Sequence, residues 1–306
     1  VSRLDSPIHG DIRPTGPSLL AVSDLHIGHK ANRELCEQLR PRHPGDWLIV
    51  AGDIAEQMAE VEWALRLLAD RFTKVIWVPG NHELWTHPND PCQLRGVQRY
   101  EHLVALCRSL GVDTPEDPFP VFWDGEVGVT VAPLFTLFDY TMLPPGTSTK
   151  DAAFELARST GVVCTDEFML HPDPYPTREA WCAARIEYSQ RRLAGAVGPT
   201  VLVNHWPLVR DPLVVLRNPE FSLWCGTTAT ADWAYRYDAR AVVYGHLHIP
   251  RTISVNGVPH VEASIGYPFE WRRYGMRPEL YVDVFDPVRP NIEFARARDR
   301  RHEHIA

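Results

Sequence analysis

Eight side chains able to bind a cation or pass a proton fall into five short clusters. They are Asp24 with His26, Asp53, Asn81 with His82, His205, and His246 with His248. Each cluster follows an apolar run: Leu19-Leu20-Ala21-Val22, Leu48-Ile49-Val50, Val75-Ile76-Trp77-Val78, Val201-Leu202-Val203 and Ala241-Val242-Val243-Tyr244. Carboxylate oxygen, amide oxygen and imidazole nitrogen together form a mixed shell suited to Mn, Fe, Zn or related ions. A single residue separates Asp24 from His26, and His246 from His248. An extended or tightly turned backbone can therefore direct both members of each pair inward. Gly52, Gly80 and Gly245 stand beside these residues, where a missing Cβ permits close or unusual backbone paths. Any one cluster is ordinary strand-end polarity. All five together, matched in residue type and in placement, argue for a metal site.

The apolar runs read as strands at 19–23, 47–51, 74–78, 200–204 and 241–244. Helical spacing appears at about 31–40, 58–72, 99–110, 151–159 and 180–193, with Pro41 and Pro44 closing the first of these. Strand, polar loop and helix in repetition imply a parallel sheet covered by helices, with the polar clusters along its carboxyl edge. Strands at 121–123 and 127–134 flank Asp124-Gly125-Glu126 as a hairpin. The alternating run from 251 to 285, turned at Asn256-Gly257, is expected to form a second, more antiparallel sheet facing the first. The domain reading is an N-terminal arm at 1–17 and one domain over 18–290. Within that domain 136–180 is an inserted loop or lid, and 291–306 is a charged tail.

The 306 residues, 44% apolar and 23% charged, are enough for a large core. No run approaches the roughly 18–20 apolar residues that span a bilayer. The six cysteines are scattered, without a C-x-x-C pair, which fits free thiols in a reducing compartment. A cytoplasmic protein without membrane insertion is expected. The net charge of −8 and the lack of an extended basic stripe give no basis for a broad nucleic-acid footprint. Bound cations would reverse the local sign, so an anionic substrate stays compatible.

Taken in order, Asp24-Leu25-His26, Gly52-Asp53, Gly80-Asn81-His82-Glu83, Asn204-His205 and Gly245-His246-Leu247-His248 resemble the signature of the calcineurin-like metallophosphoesterase superfamily. The motifs cover residues 19–248, and the terminal strands extend the likeness to about 285. The long segment between Leu134 and Thr200 departs from a minimal member. The resemblance implies an α/β fold, a four-layer αββα sandwich of two mixed sheets, holding two divalent or mixed-valence metal ions (Mn, Fe or Zn). Carried onto this chain, one ion takes Asp24, His26 and His248, the other takes Asn81, His205 and His246, and Asp53 bridges them. His82 stays off the metals and faces the departing group. Two ions roughly 3.5–4 Å apart polarise a phosphate and lower the pKa of a bound water, whose hydroxide attacks phosphorus in line. The metals offset charge developing on the equatorial oxygens, and His82 protonates or hydrogen-bonds the leaving oxygen.

The implied activity is a dinuclear metal-dependent phosphodiesterase. Phosphomonoesterase and cyclic-nucleotide phosphodiesterase are the enzyme alternatives, and an inactive metal-stabilised scaffold is the non-enzyme one. A further resemblance rests on overall length, compact N-terminus and elaborated middle region, and points to actinobacterial phosphopantetheinyl hydrolases. It implies a phosphopantetheine-bearing carrier protein as partner, where the broader family implies a phosphorylated small molecule. Arg210 could reach phosphate or be a surface charge. Tyr140, Trp206, Trp224, Tyr267 and Trp271 could wall a cleft or pack in the core. Glu83 reads equally as an orienting group or a surface charge. His29 and His87 read as exposed or turn-stabilising, His260 as structural, and Cys225 as a buried thiol.

Overall fold

The computed structural model describes residues 16–272 and 280–287. Residues 1–15 of the expected arm and the expected tail at 291–306 lie outside them. Short aliphatic runs form strands buried on both faces: β1 (Leu19–Val22), β2 (Trp47–Val50) and β3 (Lys74–Trp77). They pair in parallel, Leu20 opposite Leu48 and Leu48 opposite Val75. That register puts Leu20, Leu48 and Val75 on one face and Ala21, Ile49 and Ile76 on the other. The first face packs against α1 (Lys30–Cys36), α2 (Met58–Ala69) and, beyond α3 (Asn81–Leu84), α4 (Gly96–Ser109), through residues such as Leu35, Leu65 and Leu103.

The second sheet begins with the hairpin of β4 (Val121–Trp123) and β5 (Gly128–Pro133). The chain then forms α5 (Lys150–Thr160), α6 (Asp166–Met169) and α7 (Arg178–Leu193) before β6 (Thr200–Val203). After α8 (Trp233–Arg236) come β7 (Ala239–Tyr244), β8 (Thr252–Val255), β9 (Val258–Glu262), α9 (Pro268–Arg272) and β10 (Val282–Asp283). The strand orders are β10-β1-β2-β3 and β4-β5-β6-β7-β9-β8. Val131, Val203 and Val243 meet Ala21, Ile49 and Ile76 between the sheets. Ala132, Leu202 and Val242 face outward onto Leu193 of α7 and Trp233 of α8. The layers are therefore helix, sheet, sheet, helix, as the family resemblance implied. Each fully buried Val, Leu or Ile contributes roughly 1.5–3 kcal/mol of burial, so the apolar layers on either side of each sheet hold its central strands in place.

The C-terminal strands depart from expectation. The hairpin of β8 and β9 extends the sheet begun by β4–β7, with β9 parallel to β7, while β10 pairs antiparallel with β1 in the first sheet. Alternation marks half-buried strands but carries no information on which sheet receives them. Residues 136–180 are tied to the core through Phe138, Tyr140, Ala153, Ala157, Cys164 and Leu170. The Thr149 side chain caps α5, and Gly161 ends it with a φ of 73°. Among the described residues, no helix is long and apolar enough to cross a membrane.

Candidate metal centre

The loops after β1, β2 and β7 turn sharply enough to place non-glycine residues in left-handed backbone. Asp24, His26, Asp53, His246 and His248 have φ of 53°, 41°, 56°, 72° and 54°. Such a conformation costs roughly 1–2 kcal/mol per residue and persists only where its surroundings impose it. Here the crowding of neighbouring loops imposes it. A Cβ on Gly80 would lie 2.1 Å from Asp53 Oδ1, and one on Gly245 would lie 2.0 Å from Ser23 Oγ. The strand-end glycines are thus required by close approach.

Besides a group of His26, Glu56 and His82, two groups of donors result among the described residues, Asp24, His26, Asp53 and His248 in one, and Asp53, His205 and His246 in the other. Within each, the candidate ligand atoms all lie within 4.8 Å of one another. Asp53 belongs to both. In the first group His248 Nε2 is 3.1 Å from Asp24 Oδ1 and 3.1 Å from His26 Nε2. In the second, His205 Nε2 and His246 Nδ1 each lie 3.1 Å from Asn81 Oδ1, and Asp53 Oδ2 is 3.4 Å from His205 Nε2. The side chains of His26 and His246 are buried, yet His26 Nδ1 and His246 Nε2 have no hydrogen-bond partner. Leaving such an atom unpaired costs roughly 1–3 kcal/mol. The nitrogens that converge are the opposite ones: His26 Nε2, His248 Nε2, His205 Nε2 and His246 Nδ1 gather with the Asp24, Asp53 and Asn81 oxygens, and that buried donor set fits a pair of cations.

The electrostatics agree. Burial, then the neighbouring His205, pushes His246 down to about 3, and burial with His82 and His248 lowers His26. Burial works against ionised Asp53, but His205 and His82 beside it hold its carboxyl well below the usual range. Neutral imidazole and ionised carboxylate are the forms that bind metal. His205 is pushed up to about 9, because Asp53 outweighs the effect of burial. A proton on His205 Nε2 competes with a cation for that nitrogen.

A second ring of residues aims the first. His205 Nδ1 donates to the Ala51 carbonyl at 2.8 Å, leaving Nε2 to face Asp53. Asn81 Nδ2 and Trp85 Nε1 donate to Asp166 Oδ1 at 3.0 and 2.7 Å, which turns the Asn81 amide oxygen toward the histidines. His248 Nδ1 donates to Glu270 at 2.9 Å, and Ser264 Oγ donates to Asp24 Oδ2 at 2.6 Å. Glu83 is fully buried and accepts from the backbone N–H groups of Asp53, Ile54 and Gly80, which settles its two readings in favour of orientation. Burial and Asp53 push its carboxyl up to about 7. His82 Nδ1 donates to Glu56 at 2.8 Å, and its Nε2 lies 3.7 Å from Asp53 Oδ2. Burial lowers the His82 pKa, but Asp53 and Glu56 more than restore it, so the net direction is upward. Glu56, three residues after Asp53, was not anticipated, whereas Glu83 stands in the motif beside His82.

A cavity of about 240 Å3 opens over Asp53, Asn81, His82, His246 and His248, walled by Phe221, Leu247, Tyr267 and Glu270. Of the expected substrate contacts, only Tyr267 lines it. Tyr140 donates to Glu167 under the Lys150 ammonium, within the inserted segment. Trp206 is fully buried behind His205, with ring centroids 5.1 Å apart. Arg210 turns away to donate to the Leu143 carbonyl. Aromatic type signals burial before it signals contact with ligand, and three of these four side chains are consumed by packing or local hydrogen bonds. Trp224 donates to Glu167 and Trp271 to Asn32. Phe221, which stacks on His246 with centroids 5.9 Å apart, was not anticipated. His29 is exposed, His87 accepts from Asn89 N in a turn, and His260 and the Cys225 thiol are buried.

Comparison with known proteins agrees with this geometry. Residues 17–250 match the calcineurin-like phosphoesterase family. The chain is 55% identical over 259 residues to the acyl-carrier-protein phosphodiesterase PptH of Mycobacterium tuberculosis, covering 84% of this chain and 80% of that one. The crystal structure of phosphopantetheinyl hydrolase (PptH) from Mycobacterium tuberculosis superposes with a TM-score of 0.85 at 52% identity, over 91% of this chain and 98% of that chain.

Proposed function

The chain belongs to the calcineurin-like phosphoesterase family and is a metal-dependent phosphodiesterase, and from that premise we propose that it removes phosphopantetheine from a carrier protein. The observation that carries the reading is Asp53, a single buried carboxylate shared by two donor groups beneath a cavity that His82 also faces. The family uses a dinuclear centre. Asp24, His26, His248 and Asp53 would hold one ion, and Asn81, His205, His246 and Asp53 the other. Such a pair supplies Lewis-acid polarisation of the phosphate and activation of water. The shell of nitrogen and oxygen atoms suits Mn, Fe or Zn, and the cysteines take no part in either donor group.

The chain's own residues then handle the proton. Glu56 accepts from His82 Nδ1, so Nε2 is the nitrogen that faces the cavity. Asp53 and Glu56 raise the His82 pKa above its ordinary value, which favours the protonated form. As the P–O bond breaks, its electron pair goes to the carrier-protein oxygen, and His82 Nε2 delivers the proton to that oxygen. The high identity to PptH over most of both chains supports a carrier protein over a free nucleotide. Six free thiols accord with a reducing, cytoplasmic setting. We read the inserted segment 136–180 as part of a single domain, since its apolar residues share a core with α2 and α4.

The test is a side-by-side turnover screen with metal content measured on the same sample. Holo-carrier protein, a cyclic nucleotide, a linear dinucleotide and a phosphomonoester are compared. The expected result is preferential conversion of the carrier to its apo form with release of phosphopantetheine. Faster turnover of a nucleotide or monoester, with the carrier left intact, overturns the substrate assignment.

A further inference from the structure

We propose that the Tyr267 hydroxyl is a second hydrogen-bond donor to the leaving oxygen, acting beside His82. The proposal rests on the phosphodiesterase reading above and adds a residue to it.

Tyr267 Oη lies 3.4 Å from His82 Nε2, at the long limit of a hydrogen bond. The other ring nitrogen of His82 is already committed to Glu56. Two donors thus face one small region of the cavity without satisfying each other well, and an oxygen placed between them would accept from both. The phenol is held there by its ring. It stacks on His26 with centroids 4.3 Å apart and planes 25° apart, and meets the edge of His248 at 4.8 Å.

The backbone beneath it is equally fixed. Gly266 has a φ of 77°, and a Cβ there would lie 2.7 Å from Glu270 Oε2. That same Oε2 accepts from Tyr267 N at 2.7 Å. Asn32 Nδ2 donates to the Gly266 carbonyl at 2.9 Å, tying the segment to α1. A side chain placed only to fill space would not need its hydroxyl in this position.

In the reaction the electron pair of the breaking P–O bond goes to the leaving oxygen, and the proton comes from His82. Tyr267 keeps its own proton and contributes a hydrogen bond that strengthens as negative charge develops. Hydrogen bonds to charged groups of this kind are worth roughly 10- to 100-fold in rate. The contribution is largest where the leaving group is a poor one.

The test compares the native protein, Tyr267→Phe and His82→Ala, each loaded with Mn and assayed for bound metal. The substrates are an alkyl phosphodiester and bis(p-nitrophenyl) phosphate. Tyr267→Phe preserves the ring stack, so native metal content is expected. Its loss in kcat on the alkyl ester should exceed its loss on the aryl ester by roughly tenfold or more, in the same direction as His82→Ala. Equal losses on both esters, with His82→Ala still discriminating, would overturn the proposal and leave Tyr267 a packing residue. Loss of metal from Tyr267→Phe would overturn it in favour of a role in supporting the ligands. A His82→Ala protein that fails to discriminate overturns the leaving-oxygen reading itself, and this proposal with it.

Discussion

The floor and the walls of the cleft are built on different principles. The floor is made of strand-end loops pressed so tightly that glycines touch carboxylates, with Asp24, Asp53 and His205 almost fully buried. The walls come from connecting segments, the short helical turn Pro219–Trp224 carrying Phe221 and the loop into α9 carrying Tyr267, and both of these aromatic side chains are only half-buried. A rigid floor fixes where cations and phosphate can sit. The walls are less buried but still rest on that floor, Tyr267 stacking on His26 and Phe221 on His246, so a wall can change its polar tips more readily than its rings. Metal binding is thereby concentrated in the floor, and substitutions in the two regions should fail in different ways.

Asp53→Ala should show the largest effect. One carboxylate serves both donor groups, so both ions should be depleted together and turnover should fall on the order of 10^4-fold. Metal analysis with one ion retained at full occupancy would break the shared-ligand account. His82→Ala comes next, with a loss of roughly 10^2- to 10^4-fold on an alkyl ester while both metals stay bound. Removing a positioning carboxylate should cost less. Asp166→Ala frees the Asn81 amide to rotate and should weaken metal affinity by roughly 10- to 100-fold, read from chelator titration.

Those three substitutions also mark what a sequence can reveal. The eight floor residues were legible because buried parallel strands are written as uninterrupted apolar runs, and a polar residue just past such a run falls at the carboxyl edge. The four layers came from the family resemblance that these residues carry, not from the runs themselves. Asp166 was not legible, because it lies 85 residues from Asn81 and reaches it only through the packing of the inserted segment. Glu270 likewise meets His248 only after the β8–β9 hairpin has joined the second sheet, a pairing that alternation does not encode. Arg99 gave no signal either. It is fully buried and donates to the carbonyls of Glu56, Glu83 and Cys92 and to the Asp90 carboxylate, so it braces the loop that carries Glu56. Tyr140, Trp206 and Arg210 show the converse, residue types suited to a ligand but used in packing or local bonding.

Glu56→Gln should give the smallest effect, and it sharpens the view of His82 as an acid. Glu56 raises the His82 pKa by hydrogen bonding and by charge, so removing that charge should lower it. An acid whose pKa falls loses its proton at lower pH. The alkaline limb of kcat for an alkyl ester should therefore move to lower pH, while an aryl ester should show a smaller change. A limb that stays in place, or moves upward, would contradict the pairing.

The central claim is that one carboxylate joins two cation sites. Anomalous diffraction from crystals of the Mn-loaded protein tests it most directly. Two peaks on either side of Asp53 are expected, one beside Asp24, His26 and His248 and the other beside Asn81, His205 and His246. A single peak, or a pair that does not share Asp53, would contradict it.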